Sequence, residues 1–200
     1  MGVDSFRPRV QGIIIPVARG MAGAGITPNT SSIIAFLAAV GAGGAFYYSM
    51  PLLGVLGVML NAFFDAMDGA IAREIGTASM RGDYLDHVLD RYADIFIICG
   101  IFAGPLASVP EGILALTGVL MASYMGTQAQ AVGVGRFYGG LLGRADRLLL
   151  LIIFGILAGL FPGAEIYGYG FLAWLLIIFG VLGHVTAWQR FMHTWDELKK

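Results

Sequence analysis

Charge is scarce in this chain. Only 12% of its 200 residues are Asp, Glu, Lys or Arg, where a soluble domain carries about 25%. The net charge is −1, and no Walker loop, zinc motif, haem motif or basic nucleic-acid-binding patch occurs, so no nucleic-acid partner is expected. Cysteine is almost absent. Cys99 stands alone in an apolar run, which excludes an intrachain disulfide and suits a buried structural thiol. The N-terminus lacks the pattern of a signal peptide, because Arg7, Pro8 and Arg9 precede only a short apolar stretch that Pro16 and Arg19 interrupt. It also lacks a myristoylation signal, with Phe6 where Ser or Thr is needed.

Apolar residues are abundant instead. They make up 58% of the chain, the mean hydropathy is +0.78, and they fall in long runs, which places the protein in the membrane class. At about 20 residues per crossing the length accommodates six spans and no separate soluble domain. The expected fold is all-α: one membrane domain over residues 1–200, with six transmembrane helices in about 28–195. The runs place them near 28–48, 51–73, 82–104, 110–134, 141–161 and 167–195. Segment 5–24, punctuated by arginines and Pro16, reads as an interfacial amphipathic helix.

The twelve basic residues sort by link. Arg7, Arg9 and Arg19 precede span one. Arg73, Arg81 and Arg91 surround the link between spans two and three, Arg136, Arg144 and Arg147 surround that between four and five, and Arg190, Lys199 and Lys200 end or follow span six. The other links carry none. Both termini are therefore expected in the cytoplasm.

The acidic residues cluster. Asp65 and Asp68 are spaced i,i+3, and Asp86 and Asp90 i,i+4. Each pair then occupies one face of its helix, and a short link makes the two helices antiparallel neighbours. Ionisable groups at such places are expensive and usually functional. Four close carboxylates call for hard divalent cations, Mg²⁺ or Mn²⁺. A pair of ions about 3.5–4 Å apart suits phosphoryl chemistry. Arg73 adds a fixed charge that can pair with phosphate, and Gly69 and Gly82 leave room for a substrate beside the backbone. Asp83 reads as a helix N-terminal residue and Asp94 as structural support. His87 is turned about 100° from its neighbours and falls off the face shared by Asp86 and Asp90. Three activities fit such a site: phosphotransfer, Mg²⁺-dependent intramembrane prenyl transfer, and cation-coupled transport.

Residues 65–90 read D-x2-D-G-x2-A-R-x8-G-x3-D-x3-D, eight fixed residues over 26 positions. This pattern resembles the signature of the CDP-alcohol phosphotransferases. The resemblance implies a transferase of phospholipid synthesis that moves a substituted phosphate from a CDP-linked lipid to an alcohol and releases CMP. It makes Asp65, Asp68 and Asp86 metal ligands with Asp90 also near the metals. It places Asp65, Gly69, Ala72, Arg73 and Gly82 around the CDP group, makes Asp90 the general base, and implies a homodimer whose active site faces the cytoplasm. The acceptor side is less specific. Arg144 and Arg147, with Arg136 and Arg190, resemble the arginines of members that use inositol phosphate and could grip a phosphate on the acceptor. Positive-inside anchoring explains Arg144 and Arg147 as well. Gly126 and Gln128 stand where such members carry basic residues, so glycerol phosphate or another alcohol stays open.

Overall fold

The computed structural model describes residues 7–135, 137 and 139–199. Among these the chain forms seven helices: α1 (Arg7–Gly23), α2 (Pro28–Tyr47), α3 (Pro51–Glu74), α4 (Met80–Ala103), α5 (Val109–Ala131), α6 (Arg144–Leu160) and α7 (Phe171–Glu197). Two short strands, β1 (Glu165–Ile166) and β2 (Tyr169–Gly170), pair antiparallel between α6 and α7. Apart from this hairpin, the regular structure among the described residues is all helical.

Local chemistry sets the helix starts. The Thr27 hydroxyl accepts from the Thr30 amide at 3.2 Å and Pro28 occupies the first turn. Ser79 caps α4 by accepting from the Gly82 amide at 3.2 Å, with Asp83 in the first turn. The Asp146 carboxylate accepts from the Gly143 amide at 3.0 Å and starts α6.

Four helices, α2, α3, α5 and α7, are long and apolar enough to cross a membrane. The other two expected spans fall short of that description for visible reasons. Between its first turn and its middle α4 carries Asp83, Asp86, Asp90, Arg91 and Asp94. Helix α6 has 17 residues and opens with Arg144, Asp146 and Arg147. Helix α1 contains Pro16 and packs across α3, where Ala18, Met67, Ala70 and Ile71 form a small buried cluster.

The main core joins α2, α4, α5, α6 and α7 through Ala39, Phe46, Ile101, Val119, Leu151, Leu175 and Phe179. Glycines bring backbones into contact. A Cβ on Gly100 of α4 would lie 2.1 Å from the Gly43 carbonyl oxygen of α2, and a Cβ on Gly183 of α7 would lie 2.6 Å from the Gly118 carbonyl carbon of α5. Such close approach between helices is open only to residues without a side chain. Polar clasps join α2 to α3: Ser31 Oγ donates to the Phe64 carbonyl at 2.7 Å, and Asn61 Nδ2 donates to the Ala35 carbonyl at 3.0 Å. These contacts set where the acidic ends of α3 and α4 meet.

Candidate active site

The second half of α3 and the first half of α4 bring the four aspartates together. Carboxylate oxygens of Asp65, Asp68 and Asp86 all lie within 4.8 Å of one another. Atoms of Asp86, His87 and Asp90 meet the same limit. Asp68 and Asp90 are only 7% and 8% exposed. Ser32 of α2 donates to Asp68 Oδ2 at 2.7 Å and orients it. Asp65, Asp86 and Asp90 also line a pocket with Ser32, Ala35, Phe36, Asn61 and Leu89.

Arg144 enters this cluster from the first residue of α6. Its Nη1 lies 2.6 Å from Asp65 Oδ2 and its Nη2 lies 2.7 Å from Asp90 Oδ1. One guanidinium thus bridges α3 and α4 at half-buried depth. Four carboxylates facing this guanidinium leave an excess of negative charge in a mostly apolar setting, which a divalent cation with oxygen ligands fits.

A second ionic group lies deeper. Arg147 Nη2 donates to Asp94 Oδ2 at 2.9 Å, and Arg91 Nη2 lies 3.5 Å from both Asp90 Oδ2 and Asp94 Oδ2. Arg147 is 6% exposed. Asp94 therefore ties α4 to α6, in the supporting place expected of it, and Arg147 is committed to that tie. Arg190 donates to the carbonyls of Ala122 at 2.7 Å and Gly139 at 2.8 Å. Its Nη1 lies 3.2 Å from where a Cβ on Gly126 would stand, so it fills the space beside that glycine. The structure thus brings only Arg144 of these three onto the carboxylates. Arg136 lies outside the described residues.

On the proposed donor side, Gly69 and Arg73 act together. A Cβ on residue 69 would lie 3.2 Å from Arg73 Nη1. The glycine lets the arginine fold back along its own helix. Ala72 is half-buried beside them, and Gly82 lies in the first turn of α4.

Two features differ from the sequence reading. His87 is not remote from the cluster: Nδ1 lies 3.6 Å from Asp86 Oδ2 and Nε2 lies 3.5 Å from Asp83 Oδ1. An imidazole is long enough to swing across the 100° between adjacent helix positions. Asn61 and Ser32 also border the site. Asn61 had a readable signal, since it is a polar residue four before Asp65 on an apolar helix.

Fold and site define a helical, apolar protein with a carboxylate centre suited to a divalent cation. The profile of the CDP-alcohol phosphatidyltransferase family matches residues 25–189, and the chain belongs to that family. It is accordingly a transferase that moves a phosphatidyl-type group from a CDP-linked donor to an alcohol. The chain is 34% identical over 178 residues to the archaetidylinositol phosphate synthase of Pyrococcus horikoshii, covering 88% of this chain and 93% of the relative. It also resembles the crystal structure of the Mycobacterium tuberculosis phosphatidylinositol phosphate synthase with CDP-DAG bound, at TM-score 0.78 and 29% identity, covering 92% of this chain and 94% of that one. The same enzyme in complex with manganese and citrate matches at TM-score 0.78 and 29% identity, over 91% and 88% of the two chains.

Proposed function

We propose that this enzyme transfers the lipid-phosphate group of a CDP-linked lipid to an inositol phosphate, releasing CMP. The observation that carries this reading is Arg144. It places a fixed positive charge on Asp65 and Asp90, inside the carboxylate cluster. A phosphate on the acceptor held by Arg144 would bring the acceptor's hydroxyl beside Asp90. The relatives named for inositol phosphate products support the same acceptor.

In this reading Asp65, Asp68 and Asp86 hold Mg²⁺ or Mn²⁺, with Asp90 at the edge of the same site and room in the ligand set for two ions. The bound cations offset the charge of the diphosphate and of the departing CMP. Asp65, Gly69, Ala72, Arg73 and Gly82 border the CDP group, and the folded-back Arg73 supplies a charge for its phosphates. Asp90 takes the proton from the acceptor hydroxyl. The freed oxygen bonds to the donor's β-phosphorus, the bond from that phosphorus to the bridging oxygen breaks, and CMP leaves with the electron pair. Arg136, Arg147 and Arg190 are assigned with Arg144 to the proposed acceptor side.

The whole chain forms one membrane domain in this proposal. Helices α2 to α7 cross the bilayer and α1 lies in its interface. The charges of α4 and α6 are consistent with crossing because Asp65, Asp90, Asp94, Arg91, Arg144 and Arg147 pair within the bundle. Both termini and the carboxylate site face the cytoplasm, and the functional unit is a homodimer.

The test is CMP release from a CDP-linked lipid by the purified protein, with inositol phosphate, glycerol phosphate, serine and free inositol compared. Release with inositol phosphate well above the others is expected. Equal release with free inositol would remove Arg144 as a phosphate contact.

A further inference from the structure

Asn61, which lines the pocket beside the carboxylates, carries a polar atom that the steps above do not use. Asn61 stands four residues before Asp65 on α3 and is 2% exposed. Its Nδ2 donates to the Ala35 carbonyl at 3.0 Å, which fixes which end of the amide is oxygen. The Oδ1 atom is buried and has no hydrogen-bond partner among the described residues. Asn61, Ser32, Asp65, Asp86 and Asp90 line the same pocket.

The chemistry of that wall restricts the missing partner. An amide oxygen accepts and cannot donate, and the same holds for the carboxylates around it. The Ser32 hydroxyl is already directed at Asp68 Oδ2 and the Pro28 carbonyl. Whatever completes Oδ1 must bring a proton donor or positive charge into the pocket. Size narrows it further. The pocket is about 10 Å³, room for a single water. A water polarised by a cation is a strong donor and meets both conditions.

We propose that Asn61 is a positioning residue of the metal site, its Oδ1 accepting a hydrogen bond from a water bound to the divalent cation. The inference rests on the proposed metal role of Asp65, Asp68, Asp86 and Asp90. Groups that orient a metal's ligands in this way commonly change affinity by about 10–100-fold when removed. The bond from Nδ2 to Ala35 holds the amide between α2 and α3, so its oxygen is already aimed when the cation arrives.

The experiment is Mn²⁺ titration of the purified full-length protein, read by the electron paramagnetic resonance of free Mn²⁺ with neither substrate present. Asn61→Leu keeps the volume and removes the acceptor, and is expected to weaken Mn²⁺ binding about 10–100-fold. Asn61→Asp loses the bond to Ala35 but keeps an acceptor oxygen and adds a negative charge toward the cation, and is expected to bind as tightly as the wild type or more tightly. If Asn61→Leu does not fold, Asn61→Ala is read in its place. Wild-type affinity in the Leu or Ala variant would overturn the inference. Equal weakening in Asn61→Asp would also overturn it, by assigning the effect to the bond with Ala35. A failure of the metal site itself is separately visible, since Asp65→Asn and Asp86→Asn would then bind Mn²⁺ as the wild type does.

Discussion

Replacing Gly100 by Ala tests whether contact between α2 and α4 sets the geometry of the site. The added Cβ would stand 2.1 Å from the Gly43 carbonyl oxygen and 2.6 Å from the Gly43 Cα and carbonyl carbon. All three are backbone atoms, so no side chain can swing away. The helices must separate by roughly 1 Å, and overpacking of this kind costs about 1–3 kcal/mol, occasionally more. Removing a helical glycine returns up to about 1 kcal/mol. The expected net loss is about 2 kcal/mol, a fall in melting temperature of about 4–8 °C for a chain of this size. Helix α4 also carries Asp86 and Asp90, so its displacement moves them against Asp65 and Asp68. A misplacement near 1 Å can cost about 100-fold in rate, and a loss of about 10–100-fold in CMP release is expected. Gly44 is the control, because a Cβ there meets nothing within 4 Å. Thermal melts and turnover of both variants, measured in the same bilayer mimic, decide the matter. A Gly100→Ala protein that melts as high as Gly44→Ala would refute the close approach.

Three further outcomes follow from the ion pairs and the metal site. Arg147→Met takes from the buried Asp94 its 2.9 Å partner and leaves the longer 3.5 Å pair with Arg91, and a loss of about 3–5 kcal/mol is expected in denaturation. Adding Asp94→Leu should recover much of it, and a double variant no better than the single would contradict the pairing. Arg144→Gln removes the proposed phosphate contact, so KM for inositol phosphate should rise about 10–100-fold, while equilibrium binding of the CDP-lipid stays near the wild-type value. Chelating divalent ions should abolish CMP release, and adding back Mg²⁺ or Mn²⁺ should restore it. Activity that survives exhaustive chelation would contradict the cation role.

Local pattern made much of this legible. The run read as 28–48 is α2 at Pro28–Tyr47, because Thr27 and Pro28 mark its start and Tyr48, Ser49 and Met50 interrupt the helix before Pro51. The spacings of Asp65 with Asp68 and of Asp86 with Asp90 placed two carboxylate pairs on facing helices without any tertiary information. The partners of the arginines were not legible. Arg144 meets Asp65 across 79 residues and Arg147 meets Asp94 across 53. Only the packing of α6 beside α3 and α4 decides those pairs. Positive-inside counting could not separate an anchor from a site residue, since both need an arginine at the same helix end. His87 was misplaced for another reason. Helical angle locates Cβ, whereas an imidazole reaches well beyond it.

The assignment of proton removal to Asp90 stands or falls on one comparison. Metal-dependent CMP release and CDP-lipid binding are measured on the same preparations of the wild type and Asp90→Asn, with inositol phosphate as acceptor. Amide replaces carboxylate at similar size, so the variant is expected to retain donor binding while its turnover falls by about 100–10,000-fold, the range for loss of a general base. Turnover at the wild-type rate by Asp90→Asn, with binding intact, would contradict the assignment.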